Sequence, residues 1–133
     1  MKKQSIPSLK KKAEIIFHRY IRLRDCLTTT GTLNRCHCIT CGKSYPFETI
    51  QAGHFYHNGA DFDERNLHGQ CVHCNKYLHG NAIEYYPKML SIYGQEVIDE
   101  LAQMKRQPQK FTVEQLEKII AETKEAIVYI EKL

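Results

Sequence analysis

The sequence has no tryptophan, only four prolines and seven glycines in 133 residues. So few breakers exclude a proline-rich or glycine-rich linker protein. No apolar run approaches the ~20 residues needed to cross a bilayer, and no apolar core follows the basic start Met1-Lys2-Lys3. A membrane span and a secretory leader are therefore not expected, and the expected setting is the cytoplasm of a bacterial host cell. Acids are scarce at one end. Residues 1–24 hold eight basic groups against the single acid Glu14, whereas the other 109 residues carry 11 bases and 14 acids. A cationic end on a near-neutral body suits an arm that touches a polyanion, although a solvated helix face gives the same composition.

The chain has six cysteines, and two pairs share one spacing: Cys38-x2-Cys41 and Cys71-x2-Cys74. In a reducing compartment, paired C-x2-C knuckles read as metal ligands rather than disulfides. Four thiolates make a closed tetrahedral Zn2+ site, which supports folding but leaves no open position for chemistry. Cys36 lies close enough to Cys38 to compete as a ligand; Cys26 is left over.

Periodicity predicts an α+β protein in three parts. Residues 1–9 are expected to form a flexible basic tail, with Pro7 marking its end, and 10–133 a single domain. Within it, 10–25 reads as an amphipathic helix with Ala13, Ile16, Phe17, Tyr20 and Leu23 on the core face. Lys11, Lys12, Arg19, Arg22 and Arg24 are its candidate DNA contacts. Thr28-Thr29-Thr30-Gly31-Thr32 disfavours helix and predicts a loop. Residues 36–81 form a compact centre. There Lys43–Phe47 and Thr49–Tyr56 are expected to pair as a hairpin, and a short helix to run from about Cys71 to Leu78. Residues 84–133 read as helical, with breaks at Gly94 and Pro108 and a capping box, Thr112-x-x-Gln115, opening the last helix. Its apolar stripe, Leu116, Ile119, Ile120, Ile127 and Ile130, packs either on the centre or on a second copy in a homodimer.

The order of residues between the knuckles carries the chemistry. After Cys41 come Ala52-Gly53-His54-Phe55, then Asn66-Leu67, then Cys71-x2-Cys74-Asn75. This is similar to the layout of HNH nucleases, whose ββα-metal core places a histidine on a hairpin, an asparagine in the connecting loop and a metal ligand on the following helix. Imidazole, with a pKa of about 6.5, can take a proton from water. An amide can brace a loop by donating and accepting together. Hard ions such as Mg2+ or Mn2+ prefer oxygen donors.

The chain also resembles, over about residues 10–130, the NinG family of lambdoid phages, also called Rap, the recombination endonucleases. The resemblance rests on Tyr20-Ile21-Arg22-Leu23-Arg24-Asp25, the two knuckles, Ala52-Gly53-His54-Phe55 and Phe62-Asp63-Glu64-Arg65-Asn66. It continues through Cys74-Asn75-x2-Leu78-x-Gly80-Asn81, Glu84-Tyr85-Tyr86-Pro87 and Tyr93-Gly94. It implies a metal-dependent endonuclease on branched DNA such as D-loops and Holliday junctions, from a phage or prophage. It further implies His54 as general base, Asn75 as holder of a catalytic Mg2+ or Mn2+, and Asn66 as the brace of the loop carrying His54. Many HNH enzymes place a metal ligand just before the base, where this chain has Gly53. His79, one helical turn beyond Asn75, is the first candidate for the missing donor; His57, Asp61 and Asp63 are others. A non-catalytic zinc-ribbon module that binds nucleic acid is the competing reading. It explains the knuckles and the basic arm but not the order His54, Asn66, Asn75.

Overall fold

A computed structural model describes residues 4–133. The protein is α+β. Four helices, α1 (Ile6–Thr30), α2 (Ala82–Tyr93), α3 (Gln95–Arg106) and α4 (Val113–Glu131), surround two small antiparallel sheets. The first sheet pairs β1 (Arg35–His37) with β2 (Ser44–Pro46); the second pairs β3 (Gln51–His54) with β4 (Leu67–Gln70). A π-helical turn, His73–Tyr77, follows β4.

The long helix α1 organises the molecule, and it exceeds the expected 10–25 at both ends. Ser5 caps it by accepting from the Ser8 N–H at 3.3 Å, and Pro7 sits inside its first turn, where a missing N–H costs nothing. The tail expected over 1–9 is therefore helical from Ile6; residues 1–3 lie outside the described residues. The threonines expected to form a loop instead complete the helix. The hydroxyls of Thr28, Thr29 and Thr30 donate to the carbonyls of Arg24, Asp25 and Cys26 at 2.8, 2.6 and 2.8 Å. Such back-bonding satisfies threonine within a helix whose course is set by tertiary contacts, which override weak propensities. Gly31, with φ 75°, ends it in the left-handed region.

Leu9 and Ala13 of α1 pack on Leu116 and Ile120 of α4, and Phe17 and Ile21 pack on Leu67 of β4. Each such large apolar side chain contributes about 1.5–3 kcal/mol. Leu116, Ile120 and Ile130, the inner part of the C-terminal stripe, are thus buried within the chain. Val128 and Tyr129 are exposed on the same helix. The Thr112–Gln115 capping box forms as expected.

Strand pairing departs from the expected hairpin. The segments 43–47 and 49–56 do not pair with each other. The first joins β1, and the second joins β4 across the connection 55–66. β4 is tied to α1 by a part-buried charge pair. Asp25 accepts the Gly69 N–H at 2.7 Å and the Arg24 Nε at 2.8 Å, while Arg24 also donates to the carbonyls of Glu64 and Leu67, each at 2.7 Å. A Cβ on Gly69 would stand 2.6 Å from the Cys36 sulfur, so only glycine allows β4 this close to β1.

Candidate metal centre and reaction centre

The Cys38–Cys41 and Cys71–Cys74 knuckles converge. One sulfur from each of the four lies within 4.8 Å of the others, and the Cys41 and Cys71 sulfurs are 3.9 Å apart. Donors surround them. The Cys41 N–H points to the Cys38 sulfur at 3.5 Å, the Cys74 N–H to Cys71 at 3.4 Å, and Asn81 Nδ2 to Cys74 at 3.7 Å. Burial alone disfavours a thiolate at Cys38, but N–H groups of Cys41 and Cys71 and the Thr40 hydroxyl outweigh it and pull the thiol down to about 6. Four convergent sulfurs in a donor-rich shell fit a tetrahedral soft-ligand ion such as Zn2+. Cys36 is outside this set. It is fully buried beside Cys26, away from the four converging sulfurs.

The cysteine cluster anchors β3–β4, whose two faces carry the other candidate residues. Side chains alternate along a strand, so Ala52 and His54 face one side and Gln51 and Gly53 the other. On the α1 side, the His54 ring stands edge-on to His18 with centroids 5.4 Å apart, and 5.8 Å from His57. Burial, reinforced by His18 and His57 and opposed by Asp61, pulls His54 down to about 4. Its imidazole is therefore neutral at physiological pH. His18, whose Nε2 is buried with no partner, went unnoticed in the sequence because it lies on a helix read only for its apolar and basic faces.

Asn66 is fully buried and hydrogen-bonded to the loop that leaves His54. Its Oδ1 accepts the Tyr56 N–H at 2.9 Å, and its Nδ2 donates to the carbonyls of Tyr56 and Ala60 at 3.0 and 3.3 Å. The loop leaving His54 is thereby closed on itself.

Asn75 lies on the other side of β3. Its Nδ2 donates to Gln51 Oε1 at 2.8 Å, three residues before His54. Hence the structure does not bring Asn75 into contact with His54. Nor does His79 join Asn75: it lies beyond the π-helical turn with φ 51° and an exposed side chain, because the regular repeat that would stack it over Asn75 has ended. Of the other donors considered, Asp63 is consumed by Arg65, at 2.9 and 3.0 Å. His57 and Asp61 are the two that stand near His54, Asp61 while paired with Lys10 Nζ at 3.2 Å. Gly53 cannot carry a ligand for a physical reason. A Cβ there would lie 2.8 Å from Gln70 Cβ and 2.9 Å from its Cδ, so the Gln70 side chain fills that space.

The basic residues of α1 divide. Lys11 and Lys12 are exposed. Arg19 pairs with Glu131 at 3.4 Å, and Arg22 lies 4.6 Å over the Phe47 ring while donating to its carbonyl. Arg24, expected as a phosphate contact, is instead spent on Asp25 and the carbonyls of Glu64 and Leu67.

A family model described as Bacteriophage Lambda NinG protein matches residues 1–132. The chain belongs to the NinG family. It is 33% identical over 116 residues to Protein ninG of Escherichia phage lambda, covering 84% of this chain and 52% of that protein. Protein ninG of Escherichia phage 933W is also 33% identical, over 115 residues with the same shares, and that of Salmonella phage P22 is 31% identical over 116. This NinG-family chain thus spans about half the length of the curated relatives it matches. No solved structure matches it. Among the described residues no helix is long and apolar enough to cross a membrane.

Proposed function

We propose that the protein is a metal-dependent DNA endonuclease of the HNH class that cuts branched recombination intermediates. One observation carries the reading: a neutral imidazole, His54, ends a strand whose exit loop is locked by the buried Asn66, in a sheet whose strand β4 runs directly into the four-cysteine cluster at Cys71. A zinc-ribbon binding module has use for the cysteines but not for a braced, desolvated histidine.

In this mechanism His54 accepts a proton from a water that attacks phosphorus in line. The P–O3′ bond breaks, leaving 5′ phosphate and 3′ hydroxyl ends. The anionic phosphate, once bound, raises the His54 pKa from its low value and so strengthens it as a base. His57 and Asp61, near His54, would hold a hard ion such as Mg2+ or Mn2+ with waters completing the shell, and Asn75 offers a further hard oxygen from the other side of β3. When bound, such an ion supplies charge neutralisation at the phosphate and the departing oxygen. Lys11 and Lys12 bind backbone phosphates. The four cysteines hold Zn2+ and keep β3–β4 and the π-helical turn in register.

Cleavage of a labelled four-way junction and its matched duplex, with Mg2+ or Mn2+, tests this. The intact protein should cut the junction; His54→Ala should bind it with similar affinity and leave it whole. Binding without cutting by the intact, zinc-loaded protein would favour the ribbon module.

A further inference from the structure

The amide network on the far face of β3 has a feature that the reaction scheme leaves unused. An asparagine offers a cation its oxygen or, after a half-turn of the amide, its NH2 group, which repels it. Something must choose between the two. In this structure the Nδ2 of Asn75 donates to Gln51 Oε1 at 2.8 Å, while Asn75 Oδ1 has no partner among the described residues. Asn75 is not fully exposed, yet its Oδ1 is not among the buried unpartnered atoms, so that oxygen reaches solvent.

Both partners are fixed from behind. The Asn75 main chain follows Cys74 and donates to the Cys71 carbonyl at 2.9 Å, so the cysteine centre sets its place. Gln51 sits in register with Gln70 on the same face of the sheet. Gln70 is in turn clamped by Thr40 and the Gly80 carbonyl, at 3.1 and 2.8 Å. The main chains of both residues are therefore held in place where their amides meet.

We propose that Gln51 is a positioning residue: by accepting from Asn75 Nδ2 it turns Asn75 Oδ1 outward as the atom offered to a hard divalent cation. This rests on the proposed role of Asn75 as ion ligand and deepens it. Outer partners of metal ligands typically contribute 10–100-fold in affinity.

The test is Mn2+ binding by the full, zinc-loaded chain, followed by electron paramagnetic resonance, with zinc content and Tm measured alongside. Asn75→Ala should lose Mn2+. Gln51→Leu should bind it 10–100-fold more weakly while keeping zinc and Tm, and Gln51→Glu, still an acceptor, should restore it. If the leucine disturbs the strand, Gln51→Met, of matched length, carries the same comparison. Retained Mn2+ affinity in Gln51→Leu, with Asn75→Ala deficient, overturns the role of Gln51 alone. A Gln51→Glu protein as weak as Gln51→Leu also overturns it, since Gln51 would then act as donor to Oδ1. If Asn75→Ala binds Mn2+ as the intact protein does, the assignment of Asn75 itself fails and Gln51 has nothing to position.

Discussion

The two faces of the β3–β4 sheet are built in opposite ways. On the side of the π-helical turn, polar side chains are tied to one another. Gln51 holds Asn75, Gln70 holds Thr40 and Gly80, and His68 meets the hydroxyls of Tyr93 and Tyr85 at 2.9 and 3.4 Å. On the α1 side, the rings of His18, His54 and His57 gather without a hydrogen bond among the described residues. A tied network specifies a shape, here with Gln70 Oε1 left buried and unpartnered; imidazoles with free nitrogens are available to a ligand or a proton. The side of the π-helical turn holds its amides in place with the Asn75 oxygen turned outward, and the α1 side leaves its imidazole nitrogens unpaired.

The largest effect should come from the layer beneath both faces. Cys71→Ser, or a strong chelator, should remove the metal and unfold 36–81. The expected loss is at least several kcal/mol, read as a collapse of near-ultraviolet dichroism and of protection from proteolysis. Next, Asn66→Ala leaves the Tyr56 N–H and several carbonyls without their partner in a fully buried position. It should cost about 2–4 kcal/mol in denaturant unfolding and abolish cleavage, whereas Lys76→Ala, exposed on the π-helical turn, should do neither.

Acid should act on both faces, and a variant at His68 isolates one of them. His68, on the committed side, is pulled by burial down to about 4. A histidine depressed in the folded state contributes stability that is complete above its unfolded value of about 6.5 and is lost as pH falls toward 4, at most about 3 kcal/mol. Between pH 7.5 and 4.5 the intact protein should therefore lose more stability than His68→Gln, a comparison in which acid loss of zinc is common to both. The smallest effect concerns the arm. Lys11→Ala and Lys12→Ala should each lower the salt slope of DNA binding by about one without touching Tm. Arg24→Ala should lower Tm instead, because its guanidinium serves Asp25 and β4.

What was legible in the sequence was local. The cysteine pairs announce themselves by spacing, the Thr112–Gln115 cap by a four-residue pattern, and Asn66 by its place in an ordered motif. The partners of each strand were not legible. β4, the partner of β3, is tied to Asp25 and Arg24 on a distant helix, and no window of sequence contains both. Arg24 itself shows why: its neighbours in sequence make it look like surface charge, while its use is set by the carbonyls of residues 64 and 67. His18 and Gln51 were hidden in the same way, each ordinary in its own element and meaningful only beside a residue from another.

The most direct test of the account is the pH dependence of kcat/KM for junction cleavage. Because burial holds His54 near 4 in the free protein, the acid limb should fall well below the ordinary imidazole value of about 6.5, and His54→Ala should leave no cleavage to titrate. An acid limb at or above 6.5, or cleavage that persists in His54→Ala, would contradict the assignment of His54 as the base.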